Sequence, residues 1–190
     1  MDLRLVAVQI VRKALTAVGR GGSLPGRLAL KMDPHFIEKF HMPKHVILVT
    51  GTNGKTTTSN LIARSLMQAG LKVINNSRGD NLNVGIATLL AANSDSNFNV
   101  QADAAVIEVD ELTLYRQFKA LRPTALVVNN FFRDQLDRAG EMETIIRKIE
   151  EVTADFERDL IMNGDDPNVV RIANHAKKAK VHFFSVGENE

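Results

Sequence analysis

The sequence predicts an α/β fold, doubly wound around a mostly parallel sheet of about six strands. Three observations carry this. From residue 45 onward, short apolar runs alternate with helical stretches, the pattern of successive βαβ units. The runs are continuous rather than alternating, as expected for strands buried on both faces. The first of them, HVILVT (45–50), leads into GTNGKTTT (51–58), so a strand, a glycine turn and a helix start follow one another. That is the order of a P-loop-type nucleotide site.

Taken along the chain, residues 3–18 form the first helical stretch. Leu3, Val6, Ile10, Ala14 and Ala17 recur at three- and four-residue steps. Such a helix packs on the main domain, or, with Arg4 and Arg12 beside it, touches a membrane surface. GRGGSLPGR (19–27) then reads as a loop. Strands are predicted at 45–50, 72–76, 103–109, 124–130, 159–163 and 180–186. Helices are predicted near 55–69, 83–93, 111–121, 141–157 and 167–177. Residues 1–44 thus form an N-terminal helical and loop segment, and 45–190 the nucleotide-binding domain.

Composition excludes several classes. Hydrophobic residues make up 44% and charged residues 24%, an ordinary globular balance. No apolar run reaches the roughly 18 residues of a membrane span. Without cysteines, disulfides and thiolate zinc sites are excluded within these 190 residues, and a cytoplasmic setting is the simple expectation. A net charge of +2, one Tyr and no Trp give no basic stripe with stacking aromatics, so no nucleic acid is expected as a partner.

In folds of this class ligands sit beyond the carboxyl ends of the strands, and all but one of the predicted strand ends carry polar clusters. The first is Gly51-Thr52-Asn53-Gly54-Lys55-Thr56-Thr57. Its glycines let backbone N–H groups approach a phosphate at a helix N-terminus. Lys55 can neutralise phosphate charge, and the Thr56 hydroxyl can ligate Mg²⁺. The long form of the motif, G-x-x-x-x-G-K-[ST], would need glycine where Val49 stands. This loop therefore reads as the short form, G-x-x-G-K-[ST].

After the third strand comes Glu108-Val109-Asp110-Glu111. Clustered carboxylates at a strand end are costly unless solvated or set against a cation. Glu108 interrupts the strand itself and is the candidate second Mg²⁺ ligand. Asp110 and Glu111 fit either a metal site or an ordinary acidic helix start. NNFFRDQLDR (129–138) follows the fourth strand and NGDDP (163–167) the fifth; Asp165 or Asp166 can cap the helix that Pro167 helps to start. Asp137 to Gly140 fits the D-x-x-G of a GTP-dependent switch, but no base-reading N-K-x-D occurs.

Together, TGTNGKTTT, EVDE, NNFFRDQLDRAGE and NGDDP resemble the ATP-binding central domain of the Mur ligase family. Within that family, GRGGSLPGRLALKMDP (19–34), GDNLNVGIAT (79–88) and FRDQLDRAGE (132–141) are similar to MurT-like chains. These are ligase subunits acting in lipid II amidation. The resemblance implies an ATP-dependent carboxylate–amine ligase of peptidoglycan precursor synthesis. It implies Gly51 to Thr57 and Lys55 on the phosphates, with Lys55 and Glu108 as the catalytic pair. It further implies Thr56 and Glu108 on Mg²⁺, with Asn130 near adenine and Asp134 beside the nucleotide. Gln135 stands where many members have a histidine that binds a second Mg²⁺. Implied partners are a GatD-like glutamine amidotransferase subunit and a lipid II or muropeptide substrate, met at the inner face of the membrane. The alternatives are a muropeptide ligase adding an amino acid and a nucleotide-binding switch or scaffold. The family's C-terminal domain would lie beyond Glu190, so a fragment that binds ATP with little turnover is expected.

Overall fold

A computed structural model of the chain describes residues 2–17, 22–76, 80–131 and 139–187. The elements run α1 (Leu3–Ala17), α2 (Leu24–Met32), a 3₁₀ turn (Phe36–Lys39), β1 (His45–Thr50), α3 (Lys55–Gln68), β2 (Val73–Asn75) and α4 (Asn83–Ala92). They continue with β3 (Ala104–Glu108), α5 (Glu111–Leu121), β4 (Ala125–Val128), α6 (Ala139–Thr153), β5 (Asp159–Asn163), α7 (Pro167–His175) and β6 (Lys180–Phe184).

The six strands form one parallel sheet in the order β2-β3-β1-β4-β5-β6. This is the doubly wound sheet the apolar runs predict. From β1 the chain first winds outward to β2 and back to β3. It then crosses β1 to β4 and winds the other way. The sequence order reverses at β1, and that reversal opens a crevice at its carboxyl end.

Alternate β1 residues serve two cores. Val46 and Leu48 join the larger cluster, while Ile47 and Val49 join the smaller one with Ala63, Val106 and Val127. Val49 is fully buried and pairs in register with Glu108. It is strand, not a lost glycine, and the turn starts at Gly51. Each such buried aliphatic side chain contributes about 1.5–3 kcal/mol.

The first forty residues pack into the larger cluster through Leu5, Val8, Ala29, Phe36, Ile37 and Phe40. Phe36, Phe40 and Phe98 meet edge to face at 5.0–5.7 Å between ring centres. The loop predicted across 19–27 is corrected in its second half, where α2 begins at Leu24. Pro25 sits in the first helical turn, where its missing N–H costs nothing. Gly26 then lies against α4: a Cβ there would stand 1.9 Å from the Val84 carbonyl oxygen. Its N–H donates to Thr88 Oγ1 at 2.9 Å. The LPGR and GIAT segments are thus two sides of one helix–helix contact.

Burial on both faces is also corrected for β6. It is the sheet edge and mostly exposed, with Phe183 at 55% and Phe184 at 41%.

Candidate functional site

The loop after β1 is shaped by its glycines. Gly51 has φ of 127°, and a Cβ there would press on the Asn130 backbone at 2.9 Å. Gly54 adopts the left-handed conformation at the N-cap of α3 and, having no side chain, leaves that helix start uncapped. The first N–H groups of α3 therefore point into the crevice with the positive end of the helix dipole.

A pocket of about 280 Å³ lies over this helix start. It is lined by Thr52, Asn53, Gly54, Lys55, Thr56, Thr57, Asn81 and Glu108. The loop residues and Glu108, predicted from separate strand ends, thus share one cavity. Lys55 folds back over the loop, its Nζ donating to the Gly51 carbonyl at 2.5 Å and the Thr52 carbonyl at 3.0 Å.

Glu108 is 2% exposed. Its Oε2 accepts from Thr56 Oγ1 at 2.7 Å and its Oε1 from Asn81 Nδ2 at 3.1 Å. Both donors are neutral, and among the described residues no Lys or Arg bonds this carboxylate. A buried carboxylate held by two neutral donors keeps its charge uncompensated and can take a cation. Among the described residues no three His, Cys, Asp or Glu side chains converge. The donor set is one carboxylate and one hydroxyl. It fits an ion such as Mg²⁺, which takes one or two protein oxygens and completes its shell with water and phosphate oxygens.

Sequence reading assigned no role to Asn76, yet it holds Glu108 in place. Its Oδ1 accepts the Glu108 N–H and its Nδ2 donates to the Glu108 carbonyl, both at 2.8 Å. The side chain thereby extends β2's pairing past the strand's end. The only signal was an asparagine at a strand terminus.

The acids divided by sequence are now separated. Asp110 caps α5, accepting from the N–H groups of Leu112 and Thr113. Glu111 is half-buried, and that burial raises its carboxyl above the ordinary range, with Lys55 pulling the other way. Asp166 caps α7, and its Oδ2 also accepts the Phe131 N–H at 2.6 Å. Asp165 instead accepts from the Val186 N–H.

Asn130 sits on the other side of the loop. Its carbonyl accepts from the Thr52 N–H at 2.7 Å, and its side-chain amide brackets the Asn53 backbone at 2.9 and 3.2 Å. Beyond it opens a second cleft of about 740 Å³ against the sheet face, with Ile47, Val127 and Ile161 as floor and Asn129, Asn130 and Asn163 at its edge. Asn53 and Gly54 line both cavities, so the two form one continuous surface. Asp134 and Gln135 fall in 132–138, outside the described residues.

These features define a doubly wound α/β domain with a glycine loop at an uncapped helix start and an adjoining carboxylate–hydroxyl pair. Residues 49–190 match the Mur ligase middle domain, and the chain belongs to the Mur ligase family. It is 37% identical over 185 residues to the lipid II isoglutaminyl synthase (glutamine-hydrolyzing) subunit MurT of Staphylococcus aureus strain COL, covering 93% of this chain and 41% of that protein. It is 36% identical over 174 residues to the same subunit of Streptococcus pneumoniae, covering 87% and 37% respectively. The chain thus spans about two fifths of the length of the curated relatives it matches. A crystal structure of MurF from Acinetobacter baumannii superposes with a TM-score of 0.62 at 20% identity, over 87% of this chain and 35% of that one. That likeness is one of fold.

Proposed function

We propose that this chain is the nucleotide-binding part of an ATP-dependent carboxylate–amine ligase of peptidoglycan precursor synthesis, of the MurT-like kind. The carrying observation is the meeting of the 51–57 loop and the buried Glu108 in one pocket. The identity to two MurT subunits supports the choice of branch.

In this reading the phosphates of ATP take the uncapped N-terminus of α3. Lys55 exchanges its two loop carbonyls for phosphate oxygens, and catalysis rests on positioning and charge neutralisation. Thr56 and Glu108 would hold Mg²⁺, which supplies positive charge to the transferring phosphoryl group. The base lies in the apolar cleft, near Asn130 and Asn163, with Asp134 assigned to the same nucleotide. A substrate carboxylate oxygen attacks the γ-phosphorus, the β–γ P–O bond breaks, and ADP leaves. Ammonia then attacks the acyl carbon, phosphate departs with its oxygen, and an amide remains.

The carboxylate is the α-carboxylate of D-glutamate in lipid II. The ammonia comes from a GatD-like glutamine amidotransferase partner. The reaction takes place on the cytoplasmic side, at the membrane face that presents the lipid-linked substrate. The test supplies ATP, lipid II, glutamine and the glutaminase subunit, or else free amino acids, and weighs the products. Amide formation only with the former supports the reading. Addition of an amino acid instead would replace it with a muropeptide ligase.

A further inference from the structure

Helix α1 has two apolar faces, and the protein covers only one. Leu5 and Val8 are fully buried against the domain. Gln9 anchors the helix, its Nε2 donating to the carbonyls of Ala91 in the last turn of α4 and Ser94 just beyond it, at 3.1 and 2.9 Å. The second face carries Leu3, Ala7, Ile10 and Ala14, all exposed, Leu3 at 74% and Ile10 at 61%. Their spacing of four, three and four residues puts them in one stripe. A stripe of this kind on a fixed helix calls for an apolar contact outside the domain.

Charge selects what that contact is. Residues 1–32 hold four Arg, two Lys and one Asp, a net charge of +5, in a chain whose total is +2. Lys13 is exposed beside the stripe, and the exposed face of the neighbouring α2 carries Leu24, Arg27 and Lys31. Among the described residues no carboxylate pairs with Lys13, Arg27 or Lys31. A second copy meeting this face would set Lys13, Arg27 and Lys31 against the same three cations. An anionic bilayer offers both the apolar medium and the opposite charge. Among the described residues no helix is long and apolar enough to cross a membrane, so the contact is one that lies on the surface.

We propose that the exposed face of α1, flanked by Lys13, Arg27 and Lys31, docks the protein on an anionic lipid bilayer. This goes beyond the ligase reading and stands on α1 and α2 alone. It would also bring the site to a lipid-linked substrate.

The test is co-sedimentation of the purified chain with vesicles of phosphatidylcholine, with and without phosphatidylglycerol. Neither ATP nor glutamine is present, so the result is independent of ligase activity. Binding should need the anionic lipid and weaken with salt. Ile10→Glu should lower the partition about tenfold or more, and Lys13→Gln about fivefold. Leu3→Gln, a milder change at an exposed site, should act in the same direction with the circular dichroism unchanged. Leu61→Glu, at an exposed leucine of α3, should leave binding unaltered. Equal binding to neutral vesicles, no binding by the wild type, or binding indifferent to Ile10→Glu and Leu3→Gln would each overturn the proposal. A dimer in sedimentation equilibrium that Ile10→Glu dissociates, without vesicle binding, would assign the face to a second copy instead.

Discussion

Thr56 Oγ1 donates to Glu108 Oε2 at 2.7 Å, joining the first turn of α3 to the end of β3 across 52 residues of sequence. The pair holds the carboxylate beside the 51–57 loop. Glu108→Gln keeps the shape and removes the charge. In titrations with a fluorescent ATP analogue, wild-type affinity should fall when Mg²⁺ is chelated. In the variant that dependence should shrink about tenfold, the size expected for losing one charged contact. A variant that kept the full Mg²⁺ response would remove Glu108 from the site.

Among the described residues Lys55 bonds to the backbone carbonyls of Gly51 and Thr52 in its own loop and to no side chain. Lys55→Ala should weaken ATP binding about 10- to 100-fold by calorimetry, since hydrogen bonds to charged groups contribute about 1.5–3 kcal/mol. The thermal midpoint should barely move. Unchanged affinity would count against the phosphate role.

Asp166 links three N–H groups, those of Asn168, Val169 and the buried Phe131. Asp166→Ala removes a helix cap, costing about 1 kcal/mol. It also strands the Phe131 N–H, costing about 1–3 kcal/mol more. Urea denaturation should show the combined loss. Asp165→Ala, at an exposed position, should lose far less.

Gly26→Ala should destabilise the domain by about 1–3 kcal/mol, the usual range for overpacking. The new methyl would fall on the Val84 carbonyl and compete with the Thr88 hydroxyl. Gly22→Ala, with open space around it, should be neutral in the same denaturation assay.

Arg171 lies between Glu143 and Glu150, with contacts of 2.8–2.9 Å. Its guanidinium pulls the Glu143 carboxyl from 4.5 down to about 2, with Arg147 adding to the effect. The folded value lies below the unfolded one. The pair's contribution is therefore complete above about pH 4.5 and lost as pH falls toward 2. Glu143→Gln should lower stability at neutral pH and reduce the acid-induced loss between pH 4.5 and 2. Denaturation midpoints across that range measure it; because both side chains are partly solvated, the effect should be small.

Much of the fold was legible because strand, turn and helix signals are local. The short continuous apolar runs at 45–50 and 103–109 read as buried strands, and the glycines at 51 and 54 as a turn between strand and helix. The α2 helix was not legible, since GRGGSLPGR has loop composition. Its helix is stabilised by contact with α4, about sixty residues away. The exposure of β6 was hidden for a related reason. KVHFF has strand propensity, but whether its faces are covered depends on what packs against the sheet edge.

The sequence by itself determined the chemistry available: a glycine-shaped loop, a lysine and threonine at a helix start, and a carboxylate interrupting an apolar strand. Glu108 stands out in the sequence because it interrupts the strand, but Asp110 and Glu111 fit either the site or a helix start. Tertiary structure alone decided between those two readings. Parallel pairing of β3 with β1 sets Glu108 level with Val49, just before the turn, while Asp110 falls where its oxygens close the first turn of α5. Asn76 and Asn130 gained their roles in the same way. A side-chain amide can stand in for a missing strand residue or clamp a loop only where the register brings a backbone N–H and a carbonyl within 3 Å or so of it.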